Sequence, residues 1–194
     1  MSILTLTINN LLHVNKKIVQ EPYILFVGDR KRYKNFNNLV KAYKMNNKIY
    51  DDFKLVVFGG EEFSKTEIEN FKDAKLDLSK IVKCSGDDQI LANLYENAEL
   101  FVFPSKYEGF GLPLLEASAK NCPIACSNIN VFKEITESKG VYFDPNIIQS
   151  IANSIKNVVE DTKISNELIE YGRNRVKDFD FRKLAPRLKE IYLT

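Results

Sequence analysis

The strongest constraint on the fold is a stretch in which an apolar run, a glycine-containing loop and a run of helix-forming residues follow one another. Residues 100–103 (LFVF) are apolar throughout, as in a strand covered on both faces of a sheet. Gly109 and Gly111 follow, and good helix formers begin at Leu112. Pro113 fits the first turn of a helix, because its missing N–H group is no loss there. The stretch therefore predicts a strand–loop–helix turn whose free N–H groups suit a phosphate.

Two carboxylates belong to this stretch, Glu108 in the loop and Glu116 about one turn inside the predicted helix. Their spacing argues against the close acid/base pair of a glycosidase and favours contacts with two ends of one elongated ligand. An ionised carboxylate is a strong acceptor for sugar hydroxyl groups. Spacing alone fits a second interpretation equally well, in which Glu116 stabilises the helix dipole and Glu108 is a solvated loop charge.

The sequence EGFGLPLLE at residues 108–116 resembles the E-x7-E signature of the retaining, nucleotide-sugar-dependent glycosyltransferases of group 1 (family 4). The similarity continues through FPS at 103–105, EASA at 116–119 and NCPI at 121–124. The resemblance implies the C-terminal of two Rossmann-like domains in the GT-B architecture. There the first Glu and the glycine loop approach the donor sugar and its diphosphate, and the second Glu binds the ribose hydroxyls. The implied site comprises Glu108 as the catalytic residue and Gly109, Phe110, Gly111, Leu112 and Glu116 as donor-binding residues.

A basic loop follows another apolar run, YILFV at residues 23–27. Open α/β sheets bind ligands at the carboxyl ends of their strands. Cations at such an edge suit a nucleoside diphosphate, which gains charge as the glycosidic bond breaks. The loop resembles the family's G-x-R-x(n)-K-N element, which implies that Gly28, Arg30 and Lys34 bind the donor, with Arg32 as an alternative to Arg30. A solvated basic loop is the other interpretation.

Four further runs of strand length occur at residues 53–58, 81–86, 123–126 and 141–145, the last of them including a turn. Six strand-like runs alternating with helical patterns predict an α/β fold. The expected architecture is a Rossmann-like, doubly wound parallel sheet of about six strands with helices on both faces, equal to one half of a GT-B enzyme.

Several helices and their caps are also predicted from the residue pattern. Asn35 or Asn37 is expected to cap the helix after the basic loop. Asp87 and Asp88 are expected to cap the amphipathic helix predicted at 89–97. The resemblance places them beside the nucleobase pocket. Other helices are predicted at 61–78, 131–136, 147–159 and 164–176, and residues 179–192 resemble the family's closing helices.

Length, charge and residue composition limit which ligands and partners the chain is expected to bind. A length of 194 residues suits one domain, and a formal charge of +2 without a basic stripe argues against a nucleic-acid partner. Cys84, Cys122 and Cys126 are expected to be buried free thiols in a reducing compartment, and no metal site is expected because the single histidine, His13, is far from them in sequence. No apolar run reaches the roughly 20 residues of a membrane span, and the N-terminus lacks the features of a secretion signal. A cytoplasmic location follows as an expectation, with contact at the inner face of a membrane left open.

The resemblance covers residues 22–194 and implies transfer of a sugar from a nucleotide diphosphate sugar to a glycan or lipid-linked acceptor, without a cofactor. Residues 1–20 are expected to form an arm or inter-domain linker, and residues 21–194 the nucleotide-sugar-binding domain. An N-terminal acceptor-binding domain or subunit, absent from this chain, is expected to be needed for activity. The alternatives are a non-catalytic nucleotide-sugar-binding module, a subunit of a split enzyme, or a related GT-B-like epimerase or phosphorylase.

Overall fold

The computed structural model describes residues 16–30 and 32–180. Within these residues one sheet contains six strands, all parallel to their neighbours, in the order β3-β2-β1-β4-β5-β6. This is the strand order of a doubly wound Rossmann-like sheet, so the predicted fold class is confirmed. The strands are β1 (Tyr23–Val27), β2 (Lys54–Phe58), β3 (Ile81–Cys84), β4 (Leu100–Phe103), β5 (Ile124–Ser127) and β6 (Val141–Phe143).

Eight α-helices surround the sheet in the described part of the chain. They are α1 (Phe36–Met45), α2 (Asn47–Asp52), α3 (Lys65–Asp73), α4 (Asp88–Asn97), α5 (Leu112–Ala119), α6 (Asn130–Ile135), α7 (Ile148–Glu160) and α8 (Thr162–Arg175). Short 3-10 turns lie at Arg32–Lys34, Leu78–Lys80 and Val176–Phe179.

The helix predicted at residues 61–78 is shorter than expected, because local contacts fix both ends of α3. At its start, the Ser64 hydroxyl accepts a hydrogen bond from the Glu67 N–H, and the Glu67 carboxylate accepts one from the Ser64 N–H. This capping box begins the helix at Lys65. Beyond its end, Lys75 takes a positive φ of 51°, which breaks the helical path.

Two predicted caps have different outcomes. Asp87 caps α4 as expected, since its Oδ1 accepts from the N–H groups of Gln89 and Ile90. Asn35 lies at the N-cap position of α1 with a left-handed φ of 58°, and the expected capping bond from its side chain does not form. Its Nδ2 donates instead to the Pro145 carbonyl at 2.6 Å, which ties the basic loop to the turn after β6.

The strands separate two apolar cores, one on each face of the sheet. Ile24 and Phe26 point into a core that also contains residues of α1, α2, α3 and α7. Tyr23, Leu25 and Val27 point into the other, with residues of α4, α5 and α6. Because alternate side chains of one strand enter opposite cores, a strand such as β1 is buried along its whole length, as its uniformly apolar sequence predicts.

Parts of two predictions lie outside the described residues. The closing helices expected at 179–192 lie outside them from residue 181 onward, and so does the N-terminal arm up to residue 15, including His13. Of the arm, residues 16–20 lie against α4. The Asn93 side chain bonds both the Lys16 carbonyl and the Ile18 N–H, and Val19 is buried.

The sheet order reverses between β1 and β4, which are hydrogen-bonded neighbours. The chain passes from β1 toward β2 on one side and from β4 toward β5 on the other. The loops that follow β1 and β4 therefore open next to each other at the carboxyl ends of the strands. A backbone hydrogen bond of 2.8 Å from the Lys106 N–H to the Tyr33 carbonyl joins them directly.

Candidate functional site

The centre of the site is an ion pair between these two loops. Lys34 Nζ lies 2.7 Å from Glu108 Oε1, and each side chain is 14% exposed. The Lys34 stem passes over Gly28, where a Cβ would lie 3.8 Å from Lys34 Cε, and the ammonium lies 5.5 Å from the centre of the Phe103 ring. The fold thus brings together two of the residues predicted from separate motifs.

The glycine loop leads from Glu108 into α5, and its two glycines differ in surroundings. Gly111 is the N-cap with φ of 99°, and a Cβ there would lie 3.1 Å from Phe132 and 3.2 Å from Ile135. Gly109 has a backbone open to any residue, with nothing within 4 Å of a Cβ. Gly111 is therefore required by the protein's own packing, whereas Gly109 leaves space at the surface.

The start of α5 keeps its backbone donors open. Within the described residues, no acceptor is bonded to the N–H groups of Gly109, Phe110, Gly111 and Leu112. Pro113 lies in the first helical turn, as predicted. Unpaired donors at the positive end of the helix dipole suit an anionic ligand beside Lys34.

Aromatic and apolar side chains form an exposed rim around the ion pair. Tyr107, next to Glu108, is 72% exposed, and Tyr33, Phe110 and Leu112 are exposed as well. The Phe110 ring packs edge-on against Phe179 with 6.1 Å between ring centres. The site is therefore a charged centre with an apolar border.

Glu116 lies on α5 and faces α4, apart from the Lys34–Glu108 pair in its contacts. The Tyr95 hydroxyl lies 3.2 Å from Glu116 Oε2. Burial raises the pKa of the Glu116 carboxyl, the Tyr95 hydrogen bond lowers it, and the nearby negative charge of Asp88 raises it further. The net direction is upward, so this carboxyl takes up a proton more readily than an exposed glutamate.

Arg30 has a different environment from Lys34, although both belong to the same loop. Its guanidinium bonds Glu67 Oε1 at 2.6 Å and the carbonyls of Gly59, Glu61 and Glu62, and it lies 4.7 Å from the centre of the Phe63 ring. These contacts attach the loop after β1 to the loop after β2. The donor-binding role of Arg30 stays a prediction. Arg32, the alternative, has an exposed side chain that bonds no other described residue.

Two contacts of these site residues were not predicted from the sequence. Tyr95 belongs to the helix predicted at 89–97 and Glu67 to the helix predicted at 61–78, and the residue pattern gives neither of them a partner in the site. The S-x-x-E spacing of Ser64 and Glu67 predicts a capping box, but it gives no indication that Arg30 binds the same carboxylate. Such partners depend on how helices pack on the sheet, which local patterns do not specify.

All three cysteines are free thiols, as predicted, but only Cys122 and Cys126 are buried, whereas Cys84 at the end of the edge strand β3 is half-buried. Burial raises the pKa of each thiol. Among residues 16–30 and 32–180, no group of three or more His, Cys, Asp and Glu side chains is arranged to hold a metal ion. No helix in these same ranges has both the length and the apolar character that crossing a bilayer requires.

Comparisons with known proteins agree with the fold. The model of the family described as glycosyl transferases group 1 matches residues 8–175. O-antigen chain mannosyltransferase B of Escherichia coli is 33% identical over 105 residues, which are 54% of this chain and 28% of that protein. O-antigen chain mannosyltransferase RfbU of Salmonella typhimurium is 29% identical over 168 residues, or 86% of this chain and 45% of that protein. The chain thus spans less than half the length of these two relatives.

A solved structure corresponds more closely in extent. It is the C-terminal domain of a glycosyl transferase group 1 family protein (LpcC) from Francisella tularensis, with 26% identity and a TM-score of 0.69. The match covers 80% of this chain and 84% of that one. The chain therefore belongs to the group 1 glycosyltransferases, and its described part corresponds to the C-terminal Rossmann-like domain of a GT-B enzyme.

Proposed function

We propose that this domain binds a nucleotide diphosphate sugar and acts as the donor half of a retaining glycosyltransferase. The observation that carries the proposal is the contact between Lys34 and Glu108 at the point where the strand order reverses. A cation for phosphate and a carboxylate for sugar hydroxyls meet there, beside the open N–H groups of α5.

The proposal gives a role to each charged residue of the predicted site. Lys34 and the α5 N-terminus bind the diphosphate and stabilise the charge that develops on the leaving group, in place of a metal ion. Glu108 turns from Lys34 toward the sugar hydroxyls and orients the donor. Glu116 accepts from the ribose hydroxyls. Arg30, or Arg32 as its alternative, supplies the second cation, and Arg30 also supports the loop through its bonds to Gly59, Glu61, Glu62 and Glu67.

The rest of the reaction needs parts outside this domain. We expect an N-terminal acceptor-binding domain or subunit to close the cleft against the exposed rim. The two relatives named above are mannosyltransferases of O-antigen chains, so a mannose donor and a glycan or lipid-linked acceptor are the first candidates. The isolated chain is expected to bind the donor with little transfer.

Calorimetry tests donor binding directly. Titration with GDP-mannose, GDP, UDP-glucose, UDP and ADP-glucose is expected to show binding of at least one nucleotide. Because a charge-assisted hydrogen bond contributes about 1.5–3 kcal/mol, Lys34→Met is expected to weaken that binding about 10- to 100-fold. Lys48→Met removes an exposed lysine of α2 and is the matched control.

Two results would count against the proposal. Equal nucleotide affinity in the wild type and in Lys34→Met would remove the diphosphate role of Lys34, and binding of none of the nucleotides would remove the function itself. With a matching N-terminal domain added, the anomeric configuration of the product, measured by NMR, tests retention. Donor binding without any transfer, measured with the N-terminal domain present, would favour the non-catalytic module.

A further inference from the structure

We infer that Tyr95 is a positioning residue for Glu116 and determines the preference of the site for a ribose with free hydroxyl groups. The inference rests on the proposed function, because it takes Glu116 as the acceptor of the ribose hydroxyls. Its own observation is the contact of the Tyr95 hydroxyl with Glu116 Oε2 at 3.2 Å, across the interface between α4 and α5.

The phenol is held in one place by the core. Tyr95 is fully buried, and its ring packs edge-on against Phe101 of β4, with 5.4 Å between centres and planes at 89°. Burial, together with the charge of Glu116, raises the pKa of the phenol well above its ordinary value, so the hydroxyl keeps its proton. It is therefore a constant donor, and in the described residues its hydrogen-bond partner is Glu116.

The carboxylate is in turn held by the phenol. If Glu116 rotated away, a buried hydroxyl would lose its acceptor, which is costly in a dry interior. With Oε2 bonded to Tyr95, Oε1 makes no hydrogen bond to another described residue and stays available to a ligand. One oxygen is thus used for orientation and the other for recognition.

The charged groups around Glu116 make the orientation sensitive to pH. Asp88 at the start of α4 raises the pKa of the Glu116 carboxyl, and the Tyr95 bond lowers it. On the same helix interface Lys120 pairs with Glu96 at 2.6 Å. The buried thiol of Cys122, also near Tyr95, stays protonated because burial raises its pKa. Loss of the phenol bond therefore moves the Glu116 pKa upward.

The test compares two nucleotides and two tyrosines. The probes are the nucleoside diphosphate that binds the wild type best among GDP, UDP and ADP, and its 2′,3′-dideoxy analogue. Tyr95→Phe is expected to weaken binding of the ribonucleotide about three- to tenfold and to leave the dideoxy analogue nearly unchanged, since it weakens one charge-assisted contact. The pH below which ribonucleotide affinity falls is expected to rise in this variant.

Tyr23→Phe is the matched control. It removes another buried phenol that contacts α4, through a 2.7 Å bond to the Leu94 carbonyl, without touching Glu116. The ribose preference of this variant is expected to equal that of the wild type. If Tyr95→Phe does not fold, a 13C label on the Tyr95 ring in the wild-type protein replaces the variant. Its resonance is expected to shift with the ribonucleotide and not with the dideoxy analogue.

The possible outcomes distinguish a failure of the Tyr95 role from a failure of the proposed donor-binding function. If the wild type binds none of the diphosphates, the donor-binding function fails and the inference fails with it. If the wild type prefers the ribonucleotide but Tyr95→Phe weakens both ligands equally, or the label shifts equally with both, only the role of Tyr95 is overturned.

Discussion

The loop after β1 and the loop after β4 each contain one residue that the protein holds and one that it leaves accessible to a ligand. In the first loop Arg30 is bonded on several sides, whereas Lys34 has one ionic partner across the cleft. In the second, Gly111 is enclosed by the α6 side chains, whereas Gly109 has open space. Residues of one type, a few positions apart, therefore serve the framework in one case and the candidate site in the other.

Distance alone does not reveal this division. The Arg30–Glu67 and Lys34–Glu108 ion pairs have nearly equal lengths, 2.6 and 2.7 Å. The number of further partners distinguishes them, because Arg30 also bonds three carbonyls and Glu67 also caps α3. A ligand can exchange with a contact made by one bond more readily than with one that belongs to a network.

The largest expected effect is on stability, from Arg30→Met compared with Lys34→Met. Removal of one partner of a buried ion pair typically costs about 3 kcal/mol, and the Arg30 side chain is only 6% exposed. Lys34→Met is expected to lower the free energy of unfolding by about 1 kcal/mol, because the lost pair is a single bond. Urea denaturation measures the free energy of unfolding of both variants, and equal m-values show that the difference is one of stability. Equal costs in the two variants would mean that the two cations have the same structural role.

An intermediate effect is expected from alanine at the two glycines. Gly111→Ala forces a Cβ into a left-handed backbone against Phe132 and Ile135, at a cost of about 2 kcal/mol. Gly109→Ala is expected to change the free energy of unfolding by less than about 0.5 kcal/mol. Thermal and urea unfolding of the pair, with nucleotide titration of Gly109→Ala, check this. A larger loss of stability in Gly109→Ala would reverse the assignment of framework and open positions.

The smallest expected effect is a pH dependence at Glu67. Burial raises the pKa of this carboxyl, but hydrogen bonds from Arg30 and Ser64 lower it more, so its folded pKa lies below the reference value of 4.5. Its contribution is therefore present above pH 4.5 and is lost as the pH falls through the lower folded value. Glu67→Gln is expected to be about 1 kcal/mol less stable than the wild type at pH 7, a gap that closes in acid.

The control for this prediction is Glu61→Gln, which removes an exposed carboxylate in the loop that precedes α3. The free energy of unfolding measured from pH 7 to pH 3 is expected to be the same for this variant and the wild type. If the difference in free energy of unfolding between the wild type and Glu67→Gln were the same at every pH, the charge of the carboxylate would not be what Arg30 recognises.

The sheet could be predicted from the sequence because its strands are marked locally. Residues 100–103 and 23–27 are apolar throughout, and each is followed by glycine or by a polar loop. The meeting of Lys34 and Glu108 could also be anticipated, since carboxyl ends of neighbouring parallel strands share one edge. The general arrangement of the site followed from strand order and motif resemblance.

Side-chain partners could not be predicted in the same way. The φ of Asn35 and its bond to Pro145 depend on the position of the turn after β6. The bonds of Arg30 depend on the path of the loop after β2, and the contact of Tyr95 with Glu116 depends on how α4 packs against α5. Each of these contacts joins residues distant in the chain, so a local sequence pattern does not predict it.

The central position of β1 in the sheet has a consequence for how the domain folds. This strand is the first of the six in chain order, yet it lies between β2 and β4, and the loop after it pairs with a residue 74 positions after Lys34. A chain that ended before Glu108 would contain Lys34 but neither Glu108 nor α5. Because contacts between residues far apart in the chain tend to form late, we expect the Lys34–Glu108 pair to form close to the end of folding, and the proposed donor site to be complete only then.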